Sequence, residues 1–383
     1  MSSLHSLLAL DSRPIDESYI SELKRLLKSG IPATYTLEQA AAHEAGQEDP
    51  EGPEFNTTPL HILVRSLPDD VSDQESKTVL EMMEVLFEYG AGWNFLDFEG
   101  KSVGDILWDR RMREGNILYE RVVEAGVSAE LLLRKLGELM PQPSVEEETG
   151  DGEASNRDAA ENQETYLNSD LEYTDSALVT KDNRDGVMMD WETDIMRLAR
   201  DSMFKYGDTS SETGPVVCNI GFGMGIIDTF IQERSPAKHY ICEAHPAVLA
   251  RMRQEGWYDR PGVVVLEGRW QDTLSALLDA GNVFFDAIYY DTFSEHYSDM
   301  LDLYDTVVGL LKPEGVFSFF NGLGADRPVC YDVYRRIVEM DLRDYGLKCS
   351  FEPVQLSQLP SWKDVRRPYF ACETYYHPEI RFA

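Results

Sequence analysis

The chain reads as two folded parts of different class. A doubly wound α/β sheet with a terminal antiparallel hairpin is predicted for residues 166–383. An all-α helical repeat domain is predicted for residues 1–140, with an acidic linker over 141–165 between them. Three observations carry this. Strand-like runs alternate with helical runs through the C-terminal part, which implies a mostly parallel sheet covered on both faces. The stretch V-V-C-N-I-G-F-G-M-G (216–225) is an apolar, β-branched run ending in glycines at 221, 223 and 225, the signature of a buried strand entering a tight, ligand-facing turn. In the N-terminal part, a helix-start pattern recurs with no strand-like run between its copies.

Composition narrows the function classes. A chain of 383 residues that is 43% hydrophobic and 11% aromatic is globular and long enough for two or three domains. Its formal net charge of -34 argues against nucleic acid as a direct partner and favours a basic protein or a cationic small molecule; the surplus acid also keeps a protein soluble. The five cysteines (Cys218, Cys242, Cys330, Cys349, Cys372) form no C-x-x-C pair, which suits free thiols in a reducing compartment and no metal site. No run reaches membrane-spanning length and the N-terminus has no leader pattern, so cytoplasm and nucleus are the expected locations and a membrane is not an expected partner.

In chain order, Ile20, Leu23, Leu26 and Leu27 share one face of a helix that stops at Gly30. Thr57-Thr58-Pro59-Leu60-His61 then resembles the T-P-L-H opening of an ankyrin repeat, a unit of about 33 residues. Ser102-Val103-Gly104-Asp105-Ile106-Leu107 echoes it forty-four residues after Thr58, the polar stretch 68–77 taking up the excess. Each opening is followed by a second helix with a glycine stop, at Gly90 and at Gly126. Two or three degenerate ankyrin-like repeats are therefore expected, with His61 bonding neighbouring turns rather than doing chemistry. Helix hairpins of other families share such stops. The linker is too poor in apolar residues to offset the entropy of ordering, and disorder is expected there.

Past the linker, 166–179 is read as irregular, and Val187 to Met196 as the start of a helix capped by Asp190 with acids in its first turn. Strands follow at 216–220, 239–242, 263–266, 285–290 and 316–320, and a terminal hairpin at 348–354 and 368–376. Helices separate them at 225–234, 273–280 and 298–311. Glu243 stands eighteen residues past Gly225 at the end of the second strand, where an acid binds ribose hydroxyls. A dinucleotide fingerprint wants its third glycine at 226, which holds Ile226, so the loop suits a nucleoside with no pyrophosphate. A tight strand-to-helix turn also has purely structural uses.

The G-x-G-x-G spacing resembles the loop of the class I S-adenosylmethionine (SAM) methyltransferases. Four segments together, M-M-D-W-E-T-D-I-M (188–196), G-F-G-M-G (221–225), L-E-G-R-W (266–270) and Y-Y-D-T-F (289–293), resemble guanidinoacetate methyltransferase. With the helical domain and acidic linker, the whole chain resembles the fungal type IV protein arginine methyltransferases, which methylate the internal δ (N5) nitrogen of arginine. The glutamate pair and T-H-W segment of the better-known arginine methyltransferases are not found. The resemblance implies SAM contacts from Tyr166, Met188 and Met196, from Gly221, Phe222, Gly223, Met224, Gly225, Ile226 and Ile227, from Glu243, Ala244 and His245, and from Trp270, Gln271 and Asp291. Tyr173 is an alternative to Tyr166, and core packing is the ordinary alternative for each methionine.

Arginine is always protonated in water and its lone pairs are delocalised, so a site that methylates it needs carboxylates to accept its N–H groups and localise density on one nitrogen. Glu192 and Asp291 are the catalytic candidates that the resemblance implies. Singly, Glu192 also suits a helix N-terminus and Asp291 a helix cap. The expected function is N5-methylation of arginine in basic proteins, ribosomal proteins being the class the resemblance suggests. The alternatives are a small-molecule guanidino methyltransferase and an ankyrin-type adaptor that only senses SAM.

Overall fold

The computed structural model describes residues 2–48, 56–139, 159–206, 214–356 and 359–383. The chain divides into two compact units, Met1–Glu146 with Arg327–Tyr334, and Glu147–Asp326 with Arg335–Ala383. Most of the linker read as disordered lies outside the described residues. Its end is described, and 163–165 begin a helix.

The first unit is helical: α1 (Ser3–Leu8), α2 (Glu17–Lys28), α3 (Leu37–Ala45), α4 (Pro59–Arg65), α5 (Asp73–Glu88), α6 (Val103–Asp109) and α7 (Ile117–Leu139). The face predicted for α2 is the one it buries, with Ile20, Leu23, Leu26 and Leu27 inside. Both repeated openings are helix N-termini. At α4 the Nδ1 of His61 accepts the Thr58 N–H at 3.2 Å, while Nε2 reaches the carbonyls of Phe95 and Lys101 at 3.0 and 3.2 Å. At α6 the Ser102 hydroxyl and the Asp105 carboxylate cap each other's backbone N–H groups. Gly126 does not stop its helix, as the sequence suggested; α7 runs through it to Leu139. A Cβ there would meet Val333 at 2.5 Å and Trp93 at 3.2 Å, so the glycine serves close packing.

The second unit begins with α8 (Gln163–Leu167) and a small antiparallel sheet, β1 (Leu171–Tyr173), β2 (Ala177–Thr180) and β3 (Gly186–Met189), where irregular chain and a helix were expected. A 3-10 turn at Asp190–Glu192 leads into α9 (Thr193–Met203). Then alternate β4 (Val216–Ile220), α10 (Ile226–Glu233), β5 (Lys238–Glu243), α11 (Pro246–Gln254), β6 (Val263–Glu267), α12 (Trp270–Ala280), β7 (Phe285–Tyr290), α13 (Tyr297–Leu310), β8 (Leu311–Phe319), α14 (Pro328–Asp344), β9 (Leu347–Gln355) and β10 (Thr374–Phe382). Strand order in the main sheet is β6-β5-β4-β7-β8-β10-β9. Pairing is parallel from β6 to β8, and β10 runs antiparallel to both its neighbours. This is the doubly wound α/β sheet with a reversed terminal hairpin that the sequence predicts.

One apolar layer packs α9, α10 and α11 on one sheet face through Met196, Ile227, Val248 and Trp257. The other packs α12, α13 and α14 through Leu274, Tyr304, Val338 and Leu342. The last strand lies later than expected, because 359–373 are not strand but a strap that returns toward β2 and β3. There the Arg366 guanidinium donates twice to the buried Asp185, at 2.9 and 3.0 Å, and Arg184 Nε donates to the Asp364 carbonyl at 2.7 Å.

Candidate active site

Two adjoining clefts open at the C-terminal ends of β4, β5 and β7, where ligands bind in open α/β sheets. The loop after β4 is set by its glycines. Gly221 has φ +95°, and a Cβ on it would lie 1.9 Å from the Asp291 carbonyl oxygen, so only glycine lets the ends of β4 and β7 close on each other. Asn219 Nδ2 pins the loop from beneath, donating to the Gly221 carbonyl at 2.7 Å and to Asp228 at 2.9 Å.

The first cleft, of about 550 Å³, is lined among others by Tyr166, Met188, Gly221, Gly223, Glu243, Ala244, Trp270 and Asp291. Glu243 is buried at the end of β5 and accepts the Phe222 N–H on Oε2 at 2.9 Å and the His245 N–H on Oε1 at 2.6 Å. Burial raises its carboxyl above the ordinary range, against those backbone hydrogen bonds, which lower it. Glu243 lines the cleft, where a carboxylate is an acceptor for hydroxyl groups. The Tyr166 ring lies 4.9 Å from Phe293 and 4.8 Å from His245, and Trp270 forms another aromatic wall. An acidic pair of oxygens beside glycine backbone and aromatic walls fits the ribose and purine of SAM.

The remaining implied contacts stand behind this lining. Met196, Phe222, Ile226 and Ile227 belong to the apolar layer, with Met196 fully buried and Phe222 edge-on to Trp257 at 5.0 Å. Gly225 is the left-handed N-cap of α10, and Met224 donates its N–H to the Met188 sulfur at 3.2 Å. His245 caps α11 and holds the Tyr166 carbonyl through Nε2 at 3.1 Å. Gln271 donates to Glu295 at 3.3 Å. Tyr173, the alternative to Tyr166, donates its hydroxyl to the Gly223 carbonyl at 3.1 Å and does not line the cleft.

The second cleft, of about 880 Å³, shares Val187, Asp291, Thr292, Phe293 and Glu295 with the first and adds Glu192, Tyr297, Phe320 and Tyr369. Glu192, in the 3-10 turn rather than a helix, is 2% exposed. Its Oε1 accepts the Met189 N–H at 3.0 Å and the Tyr369 hydroxyl. Asp291 follows β7, and its Oδ2 is buried with no hydrogen-bond partner among the described residues. Burial pushes both carboxyls up: Glu192 well above the ordinary range, with Asp291's charge adding, and Asp291 to about 7, with Asp228's charge adding. Two carboxyls that resist ionisation in one cleft are poised for a cation.

Sequence reasoning missed Glu295 and Tyr369. Glu295 accepts hydrogen bonds from Gln163, Trp270, Gln271, Tyr290 and Thr292, and so ties α8, α12 and the end of β7 together where the clefts meet. Its position four residues beyond Asp291 was the available signal. Tyr369 lies in the strap, and nothing in its local sequence pairs it with Glu192.

Residues 152–341 match the family model described as guanidinoacetate N-methyltransferase. A protein of Candida glabrata named protein arginine N-methyltransferase 2 is 59% identical, covering all of both chains. Its namesake in Saccharomyces cerevisiae is 56% identical, again over all of both chains. Among solved structures, the SAH-bound methyltransferase PaMTH1 of Podospora anserina aligns with TM-score 0.35 and 16% identity, covering 50% of this chain and 78% of that one.

Proposed function

Since the chain belongs to the protein arginine N-methyltransferase 2 family, and so is a SAM-dependent arginine N-methyltransferase, we propose that it methylates the δ (N5) nitrogen of arginine in basic proteins. The observation that carries this reading is the buried pair Glu192 and Asp291, facing a cleft that adjoins the nucleoside cleft. SAM supplies an electrophilic methyl group on a sulfonium. The protein's part is alignment and electrostatics. Glu192 and Asp291 would accept N–H groups of the guanidinium and neutralise its charge. Carboxylates on the terminal amino groups draw the positive charge onto them and leave the internal nitrogen with the more available lone pair. As that nitrogen gains a methyl group, its hydrogen leaves as a proton, and a carboxylate that the bound guanidinium holds ionised, and whose pKa is otherwise raised, is a suitable acceptor.

The cleft also argues for a protein-borne arginine over a small guanidino acid. Among the described residues lining it are three carboxylates, Glu192, Asp291 and Glu295, and no lysine or arginine. The basic side chain among them is that of His296, whose Nε2 is engaged with the Glu161 carbonyl at 3.1 Å, so a free substrate carboxylate would meet no lysine or arginine there. The aromatic side chains Phe293, Tyr297 and Phe320 suit the methylene stem of an arginine side chain. For the N-terminal helices, the reading as ankyrin-like repeats is supported by the His61 bonds into the following loop and by the matching caps of α4 and α6. Such repeats would present a surface to the substrate protein, with ribosomal proteins as the proposed class.

Mass analysis of protein hydrolysates after incubation with isotopically labelled SAM tests the assignment. Label in δ-methylarginine is the expected result. Label confined to ω-methylarginine, or to a free metabolite, overturns it.

A further inference from the structure

We propose that Tyr369 is a positioning residue for methyl transfer: its hydroxyl, donating to Oε1 of Glu192 beside the Met189 N–H, fixes the carboxylate so that Oε2 is the oxygen offered to the arginine guanidinium. The geometry stands on three observations. Both recorded hydrogen bonds to Glu192 fall on the same oxygen, leaving Oε2 without a partner among the described residues. The Tyr369 ring is braced on three sides, by Trp362 at 4.5 Å, Phe320 at 6.1 Å and Trp191 at 6.2 Å between ring centres. The strap that carries it is tied down by Arg366 on Asp185 and by the Trp362 indole on the Phe370 carbonyl at 3.1 Å.

The chemistry gives this contact a role beyond packing. A guanidinium needs acceptors, and a buried carboxyl that holds a proton offers one fewer. The groups around Glu192 are Asp291 at the end of β7, Tyr289 on β7, Tyr375 on β10, Tyr369 on the strap and Asp190 in its own turn. Burial and the two aspartates drive Glu192 toward its neutral form, while the Tyr369 hydroxyl and the Met189 N–H favour the anion. Burial also keeps the Tyr369 phenol protonated, so it serves as donor. Tyr369 therefore helps hold Glu192 both oriented and charged.

The proposal rests on the Glu192 and Asp291 clamp and is independent of which arginine nitrogen is methylated. Its test is Tyr369→Phe in the full chain, with kcat/KM on an arginine-bearing basic protein followed against pH. The acidic limb should move up by about one pH unit, the scale of a charge-assisted hydrogen bond. Activity should fall about tenfold near neutral pH and return to within about twofold two units higher. SAM affinity by calorimetry should be unchanged. An unmoved limb, or a loss equal at every pH, overturns the proposal.

A second measurement needs no activity. In thermal melts, adding Tyr369→Phe to Glu192→Gln should change the melting temperature by a different amount than adding it to the wild type, because the two groups are coupled. Equal changes overturn the proposal. A Glu192→Gln enzyme that stays active removes the clamp itself. An inactive Glu192→Gln with an unaltered Tyr369→Phe profile removes only the role of Tyr369.

Discussion

Asp291 carries a buried oxygen that no described residue serves, on a carboxyl whose pKa stands at about 7 against an ordinary 3.8. Between those values the folded state holds a proton that the unfolded chain has released. Asp291 therefore contributes stability that is complete below about 3.8 and lost as pH rises through about 7. Asp291→Asn removes that dependence. Above neutral pH the variant should melt higher than the wild type, and its melting temperature should change less between mildly acidic and mildly alkaline buffer. A variant that melts lower in alkaline buffer, with the wild-type pH slope, would contradict a carboxyl held at a cost for function. Asp291 and Glu192, which the fold brings to one cleft, could be singled out in the sequence as candidates because arginine chemistry demands acceptors and both sit in segments resembling a guanidino methyltransferase. Tyr369 was not, since its contact with Glu192 spans 177 residues. Nor was the division of labour among the implied SAM contacts, where only the folded chain separates lining residues such as Met188 from packing residues such as Met196.

Among the elements, the turn after β4 carries the tightest constraint. Gly221→Ala combines a positive φ with a Cβ 1.9 Å from the Asp291 carbonyl oxygen. It should cost roughly 1–3 kcal/mol of backbone strain, and more once Asp291 is pushed aside. SAM affinity and arginine turnover should fall together. Gly223→Ala should be milder, because its Cβ would meet the flexible end of Met188 at 2.7 Å. Calorimetry that finds both variants equal to the wild type would show that the turn is not the constraint described. The strands of the main sheet were readable as far as β9, the parallel ones because buried parallel strands are continuous apolar runs bounded by turn residues. Short β1 to β3 escaped notice, because runs of three and four residues carry too little period to register. In 368–376 the aromatic density that suggests a strand belongs partly to the cluster around Tyr369 and Phe370, with β10 starting only at Thr374.

For the whole molecule, alternation of strands and helices disclosed the α/β class, and the repeated caps disclosed the helical N-terminal region. The sequence did not disclose that the N-terminal unit includes Arg327–Tyr334, since contacts distant in the chain leave no local pattern. The strongly negative net charge and the three carboxylates of the second cleft are consistent with the basic substrate proposed above. Methyl transfer from labelled SAM to arginine in a basic protein, compared between wild type and Glu192→Gln, tests the central claim most directly. Glutamine keeps the shape but brings an N–H₂ donor to a position that needs an acceptor. Transfer should fall by about two orders of magnitude, about 3 kcal/mol on the barrier, with SAM affinity nearly unchanged. A Glu192→Gln enzyme that methylates arginine at close to the wild-type rate would contradict the clamp and return Glu192 to the role of a helix-end acid.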